Sequence, residues 1–333
     1  MTTETSQPPS KGSRRRVRAI ALLSIALAMT IVAVGMISND VAGAGRLFDR
    51  AVAKVDRLLA GPVPQRSEAP TVLVADPSDA SDDGADADPT GPAATPDATS
   101  TFGQAAPSVV SVHVPAASPT ATPKPPRVAV DVDIVEDHKA VFAHEIKDTW
   151  CASAGVQMAL TILGHGSISN AFQRELQNRV HEWESYDDSH NGEWGPSAMV
   201  RALDAYGAKG YQVRAYKTRQ GAERDAARAI EKTGSPVLLM AWRGAHTWVM
   251  TGFRADADPA IFSNATIKGA YINDPWYPTI SSIWGPSDPP GTFQDTSEMI
   301  RNYLVWKRPE GHYPQRDGLF IAVVPTVVVK PAS

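Results

Sequence analysis

Asp148-Thr149-Trp150-Cys151-Ala152-Ser153-Ala154 contains the only cysteine of the 333-residue chain. It stands where a polar stretch gives way to apolar residues at Ala152, Val156, Leu160 and Leu163, the spacing of a helix face. Asp148 or Thr149 is the expected N-cap and Gly164 the expected stop, which puts Cys151 in the first helical turn. A lone thiol makes no intramolecular disulfide and lacks the companions of a structural zinc site. Two readings remain: a shielded small residue, since free cysteine is among the most buried residue types, or a nucleophile. The thiolate is the reactive species and a free thiol is mostly protonated near neutral pH. A nucleophile here therefore needs the positive end of the helix dipole, a general base, and a group that orients the base.

Among the eight histidines, His246 differs in its setting. His113, His138, His144, His165, His181, His190 and His312 lie in polar or linker surroundings, whereas His246 begins the second of two apolar segments, Leu238 to Trp242 and Thr247 to Phe253, joined by a short turn. A histidine at the start of a buried strand is often only a satisfied core residue. Further on, Ala270-Tyr271-Ile272-Asn273-Asp274-Pro275-Trp276 ends a third apolar segment in Asp274, where proline stops the strand pairing.

All eight tryptophans lie between Trp150 and Trp306, so the chain after about residue 135 suits one compact domain. Helices are expected over 168–180, 196–206 and 222–232, and strands around Val213, 236–242, 247–253, 270–273 and 319–324. Helices first and antiparallel strands later make an α+β layout. Residues 45–135 are rich in Pro, Ala and Asp, with Phe48 and Phe102 as their aromatics, and are expected to form a disordered spacer. Lys11, Arg14, Arg15, Arg16 and Arg18 belong to a basic tail over 1–18, expected in the cytoplasm. Residues 19–38 are uncharged and long enough to span a hydrocarbon core, which reads as a signal anchor with the domain outside the cell membrane. Secretion after cleavage at Ala42-Gly43-Ala44 is the alternative. A net charge of −4 gives no reason to expect nucleic acid, and the scattered histidines imply no metal. No cofactor is expected, and the oligomeric state is left open.

Taken together, the order Cys151, His246-Thr-Trp-Val-Met-Thr-Gly252 and Asn273-Asp274-Pro275 resembles the papain-like cysteine peptidases, and most closely the C39-like peptidases. The resemblance covers roughly residues 135–325, with the domain bounded at 136–333, and includes Gly192-Glu193-Trp194-Gly195-Pro196 leading into a helix. It implies a papain-like fold and a peptide or protein substrate. It also implies Cys151 as nucleophile, His246 as base and Asp274 as orienting acid, with an acyl-thioester intermediate. The chain departs from the family at Glu145. Papain-like enzymes usually have glutamine six residues before the nucleophile, where its amide helps to bind the oxyanion. A charged carboxylate would repel that oxyanion, so Glu145 is protonated, displaced, or replaced by a donor such as His144 or Lys147. Ala152-Ser153-Ala154 in place of the frequent Gly-Pro-Ala is a milder change.

The same residues admit a cell-wall amidase or a transglutaminase-like acyl transferase, and Glu145 admits a binding domain without turnover. The acidic stretch 182–194 reads either as a solvated loop or as a groove wall for basic or amphipathic peptides, with Asp187 and Asp188 the residues to neutralise.

Overall fold

Val237-Leu238-Leu239-Met240-Ala241 has no polar side chain, which suits a strand covered on both faces. A computed structural model describes residues 61–67, 69–75, 125–308 and 312–331 with parts of 51–59, and shows that arrangement. Leu238 and Met240 pack on one side of the sheet with Val156, Leu160, Ala198 and Leu203. Val237, Leu239 and Ala241 pack on the other with Ala226, Ala227 and Ile230. Two apolar layers therefore sandwich one sheet.

The helices are α1 (His138–Val141), α2 (Cys151–Ile162), α3 (Asn170–Arg179), α4 (Pro196–Ala205), α5 (Arg219–Thr233) and α6 (Thr296–Asn302). The strands are β1 (Val72–Val74), β2 (Val130–Asp133), β3 (Tyr211–Tyr216), β4 (Val237–Ala241), β5 (His246–Ala255), β6 (Ile267–Asn273), β9 (Thr292–Asp295) and β10 (Phe320–Pro325), with a small pair formed by β7 (Ile280–Ser281) and β8 (Gly285–Pro286). The main sheet runs β1-β3-β10-β4-β5-β6-β9. It is antiparallel except where β1 lies parallel to β3.

Along one edge of β5, β4 pairs with His246–Met250 and β2 continues with Gly252–Ala255. Gly252 belongs there because an added Cβ would lie 2.2 Å from the Val132 carbonyl oxygen. Helix α2 is buried on all sides from Ala152 to Leu160, more than the single apolar stripe in its sequence suggests.

Several expectations are corrected. Helices and strands interleave, because α5 follows β3 and covers the sheet face opposite α2. The N-cap of α2 is Trp150, which supplies no side-chain cap, rather than Asp148 or Thr149; the turn is closed instead by Trp150 N–H donating to the Lys147 carbonyl. Part of the expected spacer is ordered. Residues 72–74 form β1, with Leu73 opposite Ala215, and Tyr186 N–H donates to the Pro64 carbonyl. The consecutive apolar residues Val72-Leu73-Val74, two of them β-branched, are enough to add a strand at the edge offered by β3. No helix among the described residues is long and apolar enough to cross a membrane, and the anchor expected over 19–38 lies outside the described residues.

The acidic loop after α3 is fastened inward. Asp188 is buried and accepts from the backbone N–H groups of Ser197 and Ala198, satisfying the start of α4. Arg316, also buried, donates to Asp188 Oδ1 at 2.7 Å and to its carbonyl at 2.9 Å. Glu184 is buried beside Arg57 at 2.8 Å. Asp188 and Glu184 are thus structural anchors rather than charges presented to a ligand. Asp188→Ala leaves Arg316 buried without this partner and is expected to destabilise the fold by about 3–5 kcal/mol, read from the urea midpoint; a loss below about 1 kcal/mol would contradict the anchoring role.

Candidate active site

Burial of α2 brings its N-terminus to the end of the sheet where β5 begins. The approach is close because Gly155, one turn after Cys151, faces β5: an added Cβ would lie 2.8 Å from Thr247 Cγ2 and 3.3 Å from Leu238 Cδ2. Cys151 is the first residue of α2, and the first N–H groups of a helix have no partner within it. The missing side-chain cap leaves that end of the dipole directed at the cysteine.

His246 opens β5, and Asp274 follows β6, whose Asn273 pairs with Val249. Strand register thus sets acid and imidazole side by side. His246 Nε2 donates to Asp274 Oδ1 at 2.6 Å, and both residues are buried. The same oxygen accepts the Trp276 N–H at 2.9 Å, which fixes the carboxylate. With Nε2 engaged, Nδ1 is the nitrogen left for Cys151. One side-chain atom each of Glu145, Cys151 and His246 lie within 4.8 Å of one another.

Burial would push the Cys151 thiol up, but hydrogen bonding and the positive charge at His246, with the Thr247 backbone N–H, draw it below its ordinary value. Burial would lower His246, but Asp274 and the sulfur raise it to about 10. The opposed shifts favour a thiolate–imidazolium pair. Glu145 goes the other way: burial, reinforced by the charge on Cys151, pushes it to about 9, so it is a neutral acid at pH 7. Its two carboxyl oxygens are buried without a hydrogen-bond partner among the described residues. Of the neighbouring donors, His144 directs Nδ1 at the Pro275 carbonyl at 3.1 Å, and Lys147 lies over the Trp150 ring. With Glu145 neutral and the imidazole held by Asp274, this cluster suits the sharing of protons more than the holding of a cation.

The structure therefore brings together Cys151, His246, Asp274 and Glu145. It also shows neighbours that the sequence did not single out. Trp242 stacks on the His246 ring with centroids 4.0 Å apart and planes 18° apart, and its indole N–H donates to Asn302 Oδ1 at 3.0 Å. Trp242 and Arg243 have φ of 51° and 63°, a left-handed conformation that costs L-residues about 1–2 kcal/mol each. His138 reaches Asn273 Oδ1 through Nδ1 at 3.1 Å and Asp133 through Nε2 at 2.9 Å, bracing the end of β6. Only the Trp-Arg-Gly before His246 hints at this; His138 is too far along the chain to be recognised. An open groove passes the sulfur, with Glu193, Trp194, Met199, Met240, Trp306 and Arg308 in its walls.

A family model described as the Peptidase_C39 like family matches residues 131–304, and the chain belongs to that family. A crystal structure of a double glycine motif protease from an AMS/PCAT transporter, in complex with the leader peptide, is similar over 56% of this chain and 91% of its own, at 18% identity and a TM-score of 0.29. No curated protein sequence matches the chain.

Gly155→Ala should push α2 away from Thr247 and slow reaction of Cys151 with iodoacetamide at neutral pH, although alanine favours a helix by about 1 kcal/mol. Adding Thr247→Ser, which removes the obstructing methyl, should restore the rate. No effect of the single change would show that the close packing does not set the sulfur–imidazole geometry.

Proposed function

We propose that this C39-like family member is a cysteine peptidase in which Cys151, His246 and Asp274 act as a triad. The observation that carries this reading is the buried 2.6 Å bond from His246 Nε2 to Asp274, beside a cysteine at an uncapped helix start. The thiolate attacks the peptide carbonyl carbon, forming a C–S bond as the carbonyl π pair moves to oxygen. The Cys151 backbone N–H, at the helix start, is one donor to that oxyanion. Collapse breaks the C–N bond, and the imidazolium gives its Nδ1 proton to the departing amine. Neutral imidazole then takes a proton from water, which hydrolyses the thioester. Asp274 holds the ring and stabilises its charged form throughout.

The basic tail and the apolar 19–38 segment support an exported protein held at the cell membrane by an N-terminal anchor, with the domain outside. The groove beside the sulfur, with two tryptophans and two methionines in its walls, suits an extended peptide with apolar side chains.

Incubating the full chain with a proteome-derived peptide mixture in heavy-oxygen water tests the chemistry by mass spectrometry. The expected result is new carboxyl termini carrying the heavy oxygen, a thioester on Cys151 after acid quench, and a loss of at least about 10³-fold in rate on Cys151→Ala. New amide bonds instead of new carboxyl termini would mean acyl transfer, and no thioester with unchanged peptides would mean a binding domain.

A further inference from the structure

We propose that Glu145 is the second oxyanion donor of this site, acting as an un-ionised carboxylic acid whose O–H points at the developing oxyanion. The inference rests on the Cys151 acyl-transfer reading and deepens it.

Position comes first. Glu145 lies six residues before Cys151 and is held by backbone bonds: its N–H donates to the Pro275 carbonyl at 3.0 Å, one residue beyond Asp274. The next peptide, at Ile146, donates to Gln173 Oε1 at 2.8 Å, and Gln173 returns a bond to the His144 carbonyl at 3.0 Å. The segment is thus clamped between the Asp274 turn and α3, and its carboxyl is within 4.8 Å of the reacting sulfur and imidazole.

Partners come second. A buried carboxylate normally collects an arginine, a lysine or several N–H groups, as Asp188 does with Arg316 and the start of α4. Both oxygens of Glu145 lack any hydrogen-bond partner among the described residues, although the side chain is buried. A buried polar group without a partner is costly, so its persistence beside the nucleophile points to a partner that arrives with substrate.

Charge comes third. The thiolate, the imidazolium and Asp274 already sum to one negative charge in a buried cluster, and an ionised Glu145 would add another beside the thiolate. Burial and that neighbouring charge hold Glu145 neutral to about pH 9. In that form it has one O–H donor, which does for an oxyanion what an amide N–H does. No proton is transferred: the O–H shortens its bond to the oxyanion as charge develops and relaxes when the C–O double bond re-forms.

Acylation and alkylation separate this role from the pairing of Cys151 with His246. p-Nitrophenyl acetate acylates sulfur through a tetrahedral oxyanion and releases p-nitrophenolate, whereas iodoacetamide alkylates by displacement of iodide without an oxyanion. Both rates are measured on the full chain from pH 5 to 10.5 for wild type, Glu145→Gln and Glu145→Ala, with spontaneous hydrolysis of the ester subtracted. Glu145→Ala should lose about 10²-fold in acylation while keeping the wild-type alkylation rate. Wild-type acylation should fall above about pH 9 as the acid ionises, and Glu145→Gln should keep its rate past that point, since its amide does not titrate. Equal acylation by Glu145→Ala and wild type, or one shared alkaline limb in wild type and Glu145→Gln, would overturn the assignment while alkylation remains fast. Slow alkylation in all three would instead overturn the underlying Cys151–His246 reading, and the proposal with it.

Discussion

The packing of α2 against β5 at Gly155 and Thr247 is the constraint on which the site depends. A side chain at this contact would push the helix off the strand and draw the thiol away from the imidazole. Here the residue facing the strand has no side chain, and Cys151 stands one turn before it, while His246 immediately precedes the threonine that Gly155 meets. The rest of the domain holds this contact in place. Apolar layers on both sheet faces immobilise β4 and β5, and the register of β5 with β6 delivers Asp274 to the imidazole.

Holding a charged pair in that position has a cost. A buried imidazolium and a partly buried thiolate lose hydration, and their attraction compensates only where the geometry is good. Asp274 supplies the third charge and the short bond, and Trp242 covers the ring face, keeping water away and limiting rotation. The left-handed Trp242 and Arg243 add backbone strain at the same turn, held by the bond to Asn302 at the end of α6. Stability is thus spent next to His246 and recovered in the layers behind it. Glu145 fits the same electrostatic scheme, since a neutral acid adds a donor without a further charge.

Local chemistry was legible in the sequence where pattern and motif agreed. The four helices α2 to α5 and the hairpin of β4 and β5 follow from apolar spacing and a short turn, whereas the meeting of Cys151, His246 and Asp274 was expected only through the resemblance to C39-like peptidases. Less visible were features that depend on distant pairing. β1 sits in a stretch whose composition resembles a linker, and only the free edge of β3 gives its three residues a place. Asp188 and Asp187 are indistinguishable in the sequence, yet one is buried on Arg316 and the other is exposed, because the direction of a loop residue is set by what packs beneath it. The protonation of Glu145 was equally hidden: the sequence leaves three alternatives, and burial without a cationic partner favours the neutral one.

The rate of Cys151 alkylation by iodoacetamide as a function of pH, in wild type and His246→Ala, tests the central claim most directly. The account predicts an apparent thiol pKa well below the free-cysteine value of about 8.5 in wild type and a return toward that value in the variant. A wild-type value at or above about 8.5, or a low value that survives removal of His246, would contradict the paired thiolate on which the account is built.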